Sequence, residues 1–137
     1  MTGPLRAATA TALCIALAAA VPVSGQDAGR SHAEAAEGVV LRWLDRTAGE
    51  ARDLTLAPGE TVTAGGIEIT LRTCRYPVED PAGDAFAYLT IRETGVEPPV
   101  FAGWMIASSP ALNAMDHRRY DVWVLRCRIS PAEGTAP

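Results

Sequence analysis

Ser108, Ser109, Asp116, His117 and Asp121 lie close together near the C-terminal end of the chain. These are the residue types of nucleophilic hydrolysis. A hydroxyl attacks, an imidazole takes its proton, and a carboxylate orients the imidazole through the other ring nitrogen. The spacing works against that chemistry. Asp116 and His117 are sequence neighbours, whose side chains diverge in a strand or a helix, so Asp121 is the better-placed partner. Both serines sit in Ile106-Ala107-Ser108-Ser109-Pro110, which lacks the Gly-x-Ser-x-Gly elbow that presents a nucleophile at a strand-to-helix turn. A hydrolase using Ser108 or Ser109 with His117 is therefore the alternative reading, and no catalytic residue is assigned.

Metal chemistry finds fewer donors still. Glu79, Asp80 and Asp84 cluster in one stretch, without the alternating acidic spacing and central glycine of a calcium loop. They read as a solvated acidic loop. His117 with Asp116 and Asp121 offers one imidazole, and the other histidine, His32, falls in a polar arm. No metal and no cofactor is expected.

Asp116-His117-Arg118-Arg119-Tyr120-Asp121 suits a contact surface better than a reaction centre, because Arg and Tyr are over-represented among binding hot spots. This segment is the candidate interface. Trp43, Trp104 and Trp123 are expected to pack together in the core, as large aromatics do in small β domains. The competing arrangement is a groove lined by Trp104, Tyr120 and Tyr88 that takes a peptide or a glycan.

The elements that must position these groups are short strands. Residues 67–72 show strict alternation, with Ile67, Ile69 and Leu71 on one face and Glu68, Thr70 and Arg72 on the other. Further strands are expected over residues 39–44, 52–56, 85–91, 100–107 and 120–125. The last of these is apolar on both faces at its centre and reads as an interior strand. Residues 45–49 form a hairpin loop with Gly49 available for a positive φ. Ser109 followed by Pro110 starts one short helical turn near 110–115, with Ser109 as its cap. Leu112 and Met115, spaced i and i+3, plug the core. The fold class is all-β: a small antiparallel β-sandwich or partly open barrel with that single helical turn.

Residues 1–25 read as a signal peptide. Arg6 precedes an uncharged apolar run over 7–21, Pro22 breaks it, and Val23-Ser24-Gly25 offers small residues for cleavage before Gln26. The run is too short for a comfortable membrane span, so no integral span is expected after processing. Residues 26–37 are small, polar and charged, a flexible tether. The β domain takes residues 38–130, and residues 131–137 form a disordered tail. A formal charge of −4 gives no reason to expect nucleic acid as a partner. Export removes Cys14 and leaves Cys74 and Cys127 in an oxidising compartment, where a disulfide between them is expected.

Several of these residues also form a pattern. Gly103-Trp104-Met105, Ala107-Ser108-Ser109-Pro110, His117 and Tyr120-Asp121-Val122-Trp123-Val124, with cysteines at 74 and 127, resemble the bacterial domain-of-unknown-function family 2155. The likeness is strongest over residues 101–127 and extends through Leu44-Asp45, Gly49 and residues 67–74. It departs at Ile106, where an aromatic is frequent, and at Arg118-Arg119, where a proline often follows the histidine. The resemblance implies an exported all-β bacterial protein and no activity, substrate or cofactor. The combined expectation is a non-catalytic periplasmic domain that binds another cell-envelope protein.

Overall fold

The computed structural model describes residue 3 and residues 32–130. The expected signal peptide, the first part of the tether and the tail lie outside the described residues. Among the described residues eight strands run in chain order: β1 (Ala33–Ala35), β2 (Gly38–Asp45), β3 (Glu50–Leu56), β4 (Thr61–Ala64), β5 (Ile67–Pro77), β6 (Phe86–Glu93), β7 (Phe101–Ile106) and β8 (Tyr120–Arg128). All pairings are antiparallel. One sheet runs β1-β5-β6-β7 with β4 also on β5, and the other runs β3-β2-β8. The two sheets do not close into a barrel, so the sandwich expectation holds.

Strand parity builds the core. Val39, Leu41 and Trp43 of β2 face Ile67, Ile69 and Leu71 of β5 and Leu89 and Ile91 of β6, all nearly or wholly buried. Alternation is interrupted twice. β5 carries an extra residue between Leu71 and Thr73, and β8 carries one between Val124 and Arg126. Each bulge reverses the facing of the residues beyond it. That reversal turns Cys74 and Cys127 inward, where they bond across the two sheets with Cα atoms 5.7 Å apart. Without the bulges, strict alternation from Leu71 and Val124 would put both cysteines outside.

Several expectations need correction. Residues 33–35, placed in the tether, form β1, because their backbone pairs with residues 75–77 at the end of β5. The strand at 120–125 is not interior: β2 is the central strand and β8 lies at an edge, with Trp123 half-buried on its outer face. The helical turn is a 3-10 turn, Pro110–Asn113, and the Ser109 hydroxyl makes no cap hydrogen bond. Leu112 is 75% exposed and plugs nothing, whereas Met115 is buried as expected. The turn ends at Asn113 and Ala114 is extended, so Met115 lies beyond the turn and does not share a helical face with Leu112.

Gly49 and Gly65 are glycines of necessity. Gly49 has φ +69° and closes the β2–β3 hairpin, as the composition of that loop suggests. Gly65 has φ +59°, and a side chain there would stand 2.8 Å from the Tyr120 ring. The ring needs that space because its hydroxyl accepts the Gly66 amide at 3.0 Å.

Candidate functional site

The ends of β2, β6 and β8 bring the chemistry-bearing residues together at one polar end of the sandwich. His117 is buried there. Its Nδ1 accepts the backbone amides of Arg119 and Tyr120, both at 3.0 Å. A nitrogen accepting two amides carries no proton, so the proton sits on Nε2 and donates to Glu93 Oε1 at 3.0 Å. Both ring nitrogens are thus occupied by the fold. His117 pins the chain entering β8 to the end of β6, and its ring stacks on Tyr120 at 5.2 Å.

Asp45 is the second anchor. It is buried at the end of β2, and its carboxylate accepts the Thr47 and Ala48 amides at 2.9 and 3.0 Å, which shapes the hairpin. It also receives a forked contact from Arg119, with Nη2 at 2.7 Å and Nε at 3.1 Å. That guanidinium and those amides hold the Asp45 carboxyl down at about 2. Arg46 ties the same corner together. Its side chain donates to the His117 carbonyl and pairs with Asp121 at 3.3 Å.

Of the six residues in the candidate interface, the fold uses four. His117 and Tyr120 are buried, Arg119 is committed to Asp45, and half-buried Asp121 is committed to Arg46. Asp116, Arg118 and Arg119 stay exposed: Arg118 is 88% exposed with Glu93 only at 4.0 Å, and Arg119 is exposed while paired with Asp45. The segment thus anchors the fold and still presents exposed side chains at its surface. Residue type alone does not name the partners of His117 and Arg119, since Glu93 and Asp45 come from distant strands.

The hydrolase groups are not assembled. Ser108 donates its hydroxyl to Asp84 at 2.7 Å, and its amide donates to the same carboxylate. Burial pushes the Asp84 carboxyl upward, but hydrogen bonds from Ser108 and the Ala85 amide outweigh it and hold the group below its ordinary range. Among the described residues no serine bonds His117, and no group of three or more His, Cys, Asp or Glu side chains could hold a metal.

The tryptophans do not pack together, and this corrects the sequence reading. Trp43 is in the core, stacked on Tyr120 at 5.7 Å. Trp104 is 41% exposed, because Phe101 and Met105 take the inward positions of β7 and leave it the outer face. The three-aromatic groove does not form either, since Tyr120 points into the core. Tyr88 and Trp104 do meet, edge to face at 5.5 Å on the outer face of the larger sheet.

That outer face is ordered in rows by the strand register. Glu68 stands beside Arg92 as an ion pair, then Thr70 beside Thr90 and Ala102, then Thr73 beside Tyr88 and Trp104, then Arg75 beside Phe86 and Ile106. Polar pairing thus gives way along the sheet to aromatic surface. Phe86, Trp104, Ile106, Pro77 and Arg75 line an open depression of about 500 Å³ at the aromatic end.

Residues 39–127 match the family described as an uncharacterised protein conserved in bacteria (DUF2155). The chain belongs to this family. The DUF2155 segment includes the polar end, both cysteines and the Tyr88–Trp104 pair. A protein of Rickettsia prowazekii (strain Madrid E), itself described as uncharacterised, is 29% identical over 87 residues. The match covers 61% of this chain and 56% of that protein, so it spans about half the length of the relative. No solved structure matches. Among the described residues, no helix is long and apolar enough to cross a membrane.

Proposed function

We propose that this DUF2155 domain is an exported, non-catalytic recognition domain that binds another cell-envelope protein in the periplasm. One observation carries the reading. The groups that resemble a reaction centre are consumed inside the fold, whereas Trp104 stands 41% exposed beside Tyr88 on an open sheet face. Exposed aromatics on a rigid sheet are costly to leave in water and favourable to cover with a partner. Export is supported by the pattern of residues 1–25 and by the Cys74–Cys127 bond, which persists in oxidising compartments.

The test is site-specific photo-crosslinking in cells, with the photoreactive residue at position 104 and, as control, at position 53 on the opposite sheet. A discrete protein adduct is expected from 104 alone. Equal adducts from both positions, or none from 104, would remove the reading. Labelling by a fluorophosphonate that disappears in Ser108→Ala or Ser109→Ala would establish the hydrolase instead.

A further inference from the structure

The aromatic face carries two arginines that pair with no carboxylate of the described residues. Arg72 lies 5.5 Å from the Tyr88 ring centroid, and Arg75 donates to the Ala33 carbonyl at 3.4 Å. Among the described residues neither has a carboxylate within ion-pair distance, although Arg42, Arg46, Arg92 and Arg119 all do. Alternation already puts Arg72 outside, and the β5 bulge adds Thr73 and Arg75 to the same face by reversing the parity beyond Arg72. A chain with a net charge of −4 thus has a local positive, aromatic patch.

We infer that this patch binds an acidic peptide segment of the partner protein. An apolar or aromatic side chain of that peptide enters the depression between Phe86, Trp104 and Ile106, and its carboxylates meet Arg72 and Arg75. The inference rests on the recognition reading above and names the chemistry of its partner. Each part of the patch answers a part of that ligand. Guanidinium groups match carboxylates in a planar fork. The indole and phenol supply rigid contact area at low entropic cost. The depression is open along the sheet, which suits an extended chain more than an enclosed small molecule. A lipid surface is a poorer occupant, because an acidic domain is repelled by anionic headgroups and two arginines are fewer than the basic clusters that overcome such repulsion.

The experiment uses the disulfide-intact protein and a fluorescein-labelled glutamate-rich peptide with a central Leu-Phe pair. Its glutamine counterpart of equal length is the comparison, and anisotropy is the readout. The acidic peptide should bind at least about tenfold more tightly, with affinity falling as salt rises. Arg72→Gln with Arg75→Gln should erase the preference, and Trp104→Ala should weaken both peptides at least about tenfold. All three positions are surface sites, so unchanged melting curves will certify the fold. Equal affinity for the two peptides, or a preference that survives the double arginine change, overturns the inference. So does arginine-dependent binding to phosphatidylglycerol vesicles in place of the peptide, or a dimer abolished by Trp104→Ala. If position 104 crosslinks in cells while the acidic peptide fails to bind, the recognition face stands and only the acidic occupant falls.

Discussion

At the polar end of the sandwich, His117 spends both ring nitrogens on the chain and Asp45 accepts from two amides and a guanidinium. On the outer face of β5, β6 and β7, Trp104 meets Tyr88 edge to face and Arg72 meets only an aromatic ring. The polar end is rich in residue types that resemble a catalytic set, and it holds the fold. The sheet face has the residues of an ordinary strand and is left open. The difference teaches that reactive residue types mark a site only when their hydrogen-bonding capacity is unspent.

The largest expected effect falls on the frame that both regions share. Cys74→Ser or Cys127→Ser opens a bond that closes a 53-residue separation, and should cost roughly 4 kcal/mol in urea unfolding. A loss below about 1 kcal/mol would mean that the sheets hold their relation without the staple.

Pairing one change from each region tests the contrast directly. His117→Ala strands the Arg119 and Tyr120 amides and should cost about 2–3 kcal/mol, since buried groups left unsatisfied are expensive. Trp104→Ala removes an exposed edge-to-face contact and should cost about 1 kcal/mol or less while abolishing the crosslink. Reversal of that order in thermal or urea unfolding would break the distinction between a spent end and an open face.

Acid titration sharpens the same contrast. The Asp45 carboxyl sits at about 2 against an ordinary 3.8, so its ionised form is favoured by folding. Its stabilising contribution is fully present above about pH 4 and is lost as pH falls towards 2. Asp45→Asn should flatten the dependence of melting temperature on pH in that window, and Trp104→Ala should leave it unchanged. A profile unaltered by Asp45→Asn would show that the Arg119 contact does not survive in solution.

The smallest effect concerns Ser109. Its hydroxyl caps nothing, so Ser109→Ala should change stability by no more than about 0.5 kcal/mol. A cost of about 1 kcal/mol would restore the cap that residue type alone suggests.

Much of the frame was legible in the chain. The alternation of residues 67–71, the glycine at 49 and the two cysteines follow from local rules, because a strand's facing and a turn's φ depend on adjacent residues. Local rules also explain what was missed. β1 has no strand signature of its own and exists because the end of β5 offers it an edge. The centrality of β2 over β8 depends on which partners each strand finds. The roles of Arg119 and His117 depend on Asp45 and Glu93, both far away in the chain.

The amino-acid sequence by itself determined the all-β class, the turn chemistry and the presence of two cysteines to be joined, since each follows from residue type and near-neighbour spacing. Only the tertiary structure decided which way those cysteines face and which aromatics stay outside. One extra residue in β5 and one in β8 reverse the alternation just before Cys74 and Cys127, turning both inward. The β5 bulge also turns Thr73 and Arg75 to the outer face, beside Tyr88 and Phe86. A bulge is a property of register between two paired strands, so it appears only when the partner strand is in place.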